Sequence, residues 1–218
     1  MKYANFKEHK IKRNCSKTYK TPSGYRSYLK DDFHDRCCYC NMPRSLITSP
    51  YHIDHFIPWK KFKGKKDSLW ADYQNLMWSC PKCNLSKGDQ YQGDFMHDDR
   101  IVNELFYNPE TTDYNQIFYR NEYGGIDSDD EKGRAMIKRL KLYRPIHNLA
   151  WLVERLEVVW EKLCIEIEQE EDENRKKLLK QIRDRLANIY VKQARAFRAA
   201  YNGKVFPEQK EEGDCQFT

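Results

Sequence analysis

At 218 residues the chain has room for one large domain or two small ones, and 39% apolar against 33% charged residues describes a modest core. Aromatics at 14% argue against general disorder, and no window reaches the ~20 apolar residues of a membrane span. The net charge of +6 is unevenly spread, with balances of +11 over residues 1–66, −9 over 67–133 and +6 over 134–200, a pattern suited to a polyanionic partner.

Residues 1–22 mix Lys7, Lys10, Lys12, Arg13, Lys17 and Lys20 with Tyr3, Phe6 and Tyr19 and show no period. They read as a basic arm that meets nucleic acid or docks on a partner. The opening Met1–Lys7 is basic but lacks the apolar run of a signal peptide, so a cytoplasmic location is expected. Ser23 is placed to N-cap a helix over 24–36, with Tyr25, Leu29 and Phe33 on one side.

Cys37 and Cys40 form a CxxC unit, and Cys80 and Cys83 form another. In a reducing compartment this spacing signals metal rather than disulfides, because a tight turn sets both sulfurs on one tetrahedral zinc. One structural zinc per chain at these four cysteines is expected. Cys15, Cys38, Cys164 and Cys215 are left over; three of them read as ordinary thiols, and the role of Cys38 stays open. Between the pairs lie a strand over Tyr51–Phe56, a basic loop over 59–68 and a segment from Trp70 to Ser79, with a short helix from near Asn84.

Residues 93–133 read as an acidic, loop-rich connector with one or two short strands. Asp129 is placed to cap a helix through Met136, Ile137 and Leu140 that ends before Pro145. The apolar stripes Leu149–Leu163 and Leu178–Phe197 then favour two antiparallel helices that turn near 168–174, with one continuous helix as the alternative because no Gly or Pro sits there, and 204–218 reads as a flexible tail. The division is therefore 1–22, 23–92, 93–133, 134–203 and 204–218.

His52-Ile53-Asp54-His55-Phe56-Ile57-Pro58, Asn75 and Cys80-Pro81-Lys82-Cys83-Asn84 together resemble the HNH endonucleases over about residues 33–90. The resemblance implies a mostly helical α+β protein with a ββα-metal finger stapled by the four-cysteine zinc site, followed by the C-terminal helical hairpin. It implies His55 as general base, Asn75 as the residue holding its imidazole, and Asp54 with Asn84 as ligands of a catalytic ion. Many relatives have His where this chain has Asn84; oxygen ligands favour Mg²⁺ or Mn²⁺.

Lys87 is a candidate phosphate contact, and His52 shares the Asp54 face of the strand and is a candidate for substrate or metal. His34, His97 and His147 lack such context. The implied activity is hydrolysis of nucleic-acid phosphodiesters, with DNA the expected substrate. A tRNA-cutting enzyme shares the same residues, and a zinc-stapled binding or scaffold module without cleavage is the alternative of another class. The wider layout is similar to HNH subunits of bacterial anti-phage systems such as Septu and the related retrons. That likeness implies an ABC-type ATPase partner, since this sequence carries no P-loop motif of its own.

Overall fold

The structure, a computed structural model, describes residues 2–97 and 100–203, so Asp98, Asp99, the tail from residue 204 and Cys215 lie outside the described residues. The chain forms two compact units, the first through Trp151 and the second from Leu152. In the first are β1 (Ala4–Asn5), α1 (Arg26–Asp32), β2 (His52–His55), α2 (Trp59–Phe62), β3 (Leu76–Ser79) and α3 (Pro81–Lys87). There follow α4 (Tyr114–Ile117), β4 (Tyr119–Arg120), β5 (Ile126–Asp127) and α5 (Glu131–Leu140). Then α6 (Pro145–Gln169) carries the chain into the second unit, which ends with α7 (Glu173–Tyr201). Among the described residues no helix is long and apolar enough to cross a membrane.

Tyr25, Leu29 and Phe33 are all buried, as their spacing requires. The helix nevertheless begins later than expected, because Pro22 opens a 3-10 turn over Pro22–Tyr25. The Ser23 hydroxyl meets Thr21 instead of capping a helix. Left-handed backbone at His34 (φ 54°) and Asp35 (φ 51°) ends the element and sends the chain into the first cysteine pair.

The antiparallel pair β2–β3 sets His52 opposite Ser79, Ile53 opposite Trp78, Asp54 opposite Met77 and His55 opposite Leu76. Pro81 at the first turn of α3 follows at once, giving a β-β-α order around the site. Gly88, at φ 52°, terminates α3 in a conformation that suits glycine.

The N-terminal segment is built into this unit. β1 pairs with β4, and β4 with β5, in a three-stranded antiparallel sheet. Phe6 is buried against Phe118 (5.4 Å) and Tyr114 (5.9 Å). Arg13 pairs with Glu110 at 2.8 Å and donates to the Leu76 carbonyl at 2.8 Å. These contacts build Phe6 and Arg13 of the basic segment 1–22 into the first unit.

α5 is capped by Asp130, whose carboxylate accepts from Gly133 N at 2.7 Å, and not by its neighbour Asp129, which accepts from the Tyr119 hydroxyl. In the second unit α6 and α7 form an antiparallel pair, joined by three residues ending in the cap Asp172. Arg175 grips Glu166 (3.2 Å) and Glu170 (2.9 Å) across that turn. Val153, Ile167, Phe197 and Tyr201 are buried, while Leu178, Ile182 and Ile189 are exposed.

Candidate active site and metal centre

Cys37, Cys40, Cys80 and Cys83 are all buried, with sulfurs within 4.8 Å of one another. The Cys40 and Cys80 sulfurs stand 3.9 Å apart, close to the ~3.8 Å edge of a tetrahedron with 2.3 Å zinc–sulfur bonds. No disulfide joins them. Left-handed Asn41 (φ 60°) turns the first pair, and Cys80 caps α3 by accepting from Cys83 N at 3.4 Å. This donor set fits zinc. Cys38 contributes backbone instead: its N–H donates to the Trp78 carbonyl at 2.9 Å, and burial pushes its thiol well up, so it stays neutral.

Two cations from outside the CxxC units close over the cluster, and spacing gave no sign of either. Buried Lys7 donates to the Cys38 carbonyl at 2.7 Å and lies 4.1 Å from the centre of the Tyr114 ring. Burial pulls its pKa down to about 8, against the pull of the neighbouring cysteines. Arg120, also buried, donates to the Cys40 carbonyl at 3.4 Å. With one dication bound, four thiolates would keep a net negative charge that both cations would offset.

Strand alternation distributes the motif of β2 over two faces. His52 and Asp54 face α3, where Asn84 and Lys87, three residues apart, share one side. The Asn84 amide meets His52 Nδ1 at 2.9 Å. Lys87 Nζ lies 3.0 Å from Asp54 Oδ1 and donates to the His55 carbonyl at 2.7 Å, while the Tyr39 hydroxyl donates to Asp54 Oδ2 at 2.6 Å. Lys87 is 0% exposed, so in place of the phosphate contact suggested by its position it is an internal counter-ion. Burial holds the Tyr39 hydroxyl far above its usual range, which keeps it a donor.

Asp54 and His52 share one face of β2 with Asn84 on the adjoining side of α3, and carboxylate and amide oxygens suit a hard divalent cation in kind. Both Asp54 oxygens are engaged, one by Tyr39 and one by Lys87, and each keeps a second lone pair. Lys87→Met should cost about 3–5 kcal/mol of stability, because it strands a buried carboxylate. Urea unfolding checks this, and a loss below ~1 kcal/mol contradicts the pairing.

His55 ends β2 on the other face. Its ring stacks on Trp70 (centroids 4.9 Å) and meets the edge of Phe62 (5.8 Å), half-buried on a shelf that includes Trp59. Nε2 lies 2.9 Å from the Trp70 carbonyl. A carbonyl only accepts, so Nε2 carries the proton and Nδ1 keeps the lone pair. Burial lowers the His55 pKa from its ordinary value, against the Trp70 carbonyl and Asp54, which raise it. The imidazole is therefore neutral at pH 7 and basic at Nδ1.

Asn75 does not touch this ring. It is 0% exposed; its Oδ1 accepts from Ile57 N at 2.8 Å, and its Nδ2 donates to the Ile57 (3.3 Å) and Leu69 (3.1 Å) carbonyls. It ties together the loop that presents the Trp70 carbonyl, so its hold on His55 is indirect. The carbonyl partner of His55 has no sequence signal, because any residue supplies one. Asn75→Ala strands these backbone groups at about 1–3 kcal/mol each. The expected result is a clear drop in Tm, with kcat falling and KM little changed. His34 stacks on His9, His97 pairs with exposed Asp94, and His147 is buried beside Arg120, all apart from this site.

Residues 37–90 match the family described as HNH endonuclease, a span that holds both cysteine pairs, Asp54, His55, Asn75 and Asn84. No curated protein and no solved structure matches the chain.

Proposed function

We propose that the chain, whose residues 37–90 form an HNH endonuclease unit and hence a phosphodiester hydrolase, cuts DNA with His55 as general base. The observation that carries this is the pinned tautomer: Nε2 held on the Trp70 carbonyl, Nδ1 left as the basic atom of a neutral ring. Nδ1 takes a proton from water, the resulting hydroxide attacks phosphorus, and the P–O3′ bond breaks. The departing 3′ oxygen is protonated by solvent, giving 5′-phosphate and 3′-hydroxyl ends. Asn75 acts through the loop, as a positioning residue.

Asp54 and Asn84 are the proposed ligands of a Mg²⁺ or Mn²⁺ ion, with His52 beside Asn84 as a further donor. When bound, that ion supplies charge for the phosphate oxygens and the leaving 3′ oxygen. Mn²⁺ should raise the Tm of the wild type more than that of Asp54→Asn, which weakens the proposed carboxylate ligand. Equal shifts would remove Asp54 from the ligand set.

The layout likeness to anti-phage HNH subunits supports placing the chain as the nuclease of such a complex beside an ABC-type ATPase. Co-purification of the tagged chain from its own cells tests this: a stoichiometric ATPase is expected, and a chain that runs alone contradicts it. Cleavage of plasmid DNA beside total tRNA tests the substrate; a chain that cuts only tRNA overturns the DNA assignment.

A further inference from the structure

An open cleft of about 710 Å³ lies beside the start of β2, lined by Arg26, Lys30 and Arg44 with Asp35, Tyr51 and Trp78. Resting on the nuclease reading above, we propose that this cleft binds the substrate's phosphodiester backbone several nucleotides from the scissile bond. Arg26 and Lys30 belong to α1, outside the matched span, so this site is a property of the chain beyond its HNH unit.

The charge is positive and preorganised. Three cations face one acid, and Asp35 is already used: it accepts from the Trp78 indole at 3.2 Å and stands 4.0 Å from Lys30. The Arg26 guanidinium lies 5.4 Å from the centre of the Trp78 ring and donates to the Tyr51 carbonyl at 3.2 Å. Arg44 donates to the Ile47 carbonyl at 3.3 Å. Both anchors are neutral carbonyls, so each guanidinium keeps its charge and its other N–H donors for an anion. Holding the long side chains in place beforehand reduces the entropy lost on binding.

Position links the cleft to the site. Trp78 sits opposite Ile53, two residues before His55 on β2, so the cleft opens on the face of the hairpin that carries His55. Tyr51 precedes His55 by four residues, about 14 Å of extended chain. That spans about four nucleotides at ~3.4 Å per step along one strand.

The test measures binding without cutting, in the His55→Ala background, by anisotropy of labelled duplex DNA and of single-stranded RNA of equal length across a salt series. Adding Lys30→Ala and Arg44→Ala should weaken binding about tenfold and reduce the slope of log K against log salt by ~2. A matched control, Lys177→Ala with Lys180→Ala, removes the same charge from α7 and should leave the slope unchanged. The nucleic acid showing the larger loss identifies the backbone recognised. An unchanged slope in the cleft variant, or an equal loss in the control, overturns the proposal even if the wild type cuts DNA. A wild type that cuts nothing, with the slope lost only in the cleft variant, overturns the hydrolytic reading and keeps the cleft.

Discussion

Stripping zinc from the chain, or replacing Cys80 with Ser, should unfold the unit that contains the site. The four buried sulfurs join the loop after α1 to the first turn of α3, and β2 with Asp54 and His55, together with the turn that ends at Asn75, lies between. Without the ion these thiols are buried polar groups whose partners are one another. With it, the apparent binding free energy of a structural zinc, about 10 kcal/mol or more, becomes folding free energy. Metal analysis should find one zinc per chain. Chelation should lower the Tm steeply, and Cys38→Ala, which removes a thiol outside the cluster, should leave the zinc content intact. A chain that keeps its Tm after complete zinc removal contradicts this role.

The second large effect is on catalysis. His55→Ala should lower the cleavage rate about 10²–10⁴-fold, the usual contribution of a positioned general base. The fold should survive, because the half-buried ring leaves Trp59, Phe62 and Trp70 packed with Ile57 and Leu69. The pH dependence carries a sign. Burial favours the neutral ring, so its pKa in the folded protein lies below the ordinary value of about 6.5. Activity should therefore persist as pH falls past ~6.5 and decline only as pH drops through the lowered value. An acid limb above the ordinary value would show another group titrating.

Much of the site was legible because its chemistry lies in side chains at fixed spacing. CxxC pairs, the strand alternation of His52 with Asp54 and the helical spacing of Asn84 with Lys87 each place two groups on one face without tertiary knowledge. The parts that escaped depend on pairings distant in sequence. Lys87 looks like any exposed lysine near a helix end until α3 packs on β2 and buries it against Asp54. Tyr39 lies between Cys37 and Cys40 yet reaches Asp54 across 15 positions. Lys7, just after β1, and Arg120, on β4, arrive at the four-cysteine cluster from strands of two residues, too short for a period to show. In the hairpin of α6 and α7 the long apolar stripes marked both helices but left one continuous helix open, because the turn carries no Gly or Pro and is set by Asp172 as a cap. The caps of α1 and α5 differed from expectation for local reasons, a proline-led turn and a neighbouring aspartate already bound by Tyr119.

The most direct test of the central claim is cleavage of supercoiled plasmid by the zinc-loaded chain with Mn²⁺, beside its His55→Ala variant at matched zinc content. Nicked or linear product from the wild type, with the variant slower by about two orders of magnitude or more, is the predicted result. A variant that cuts as fast as the wild type would contradict the assignment of His55 as the base.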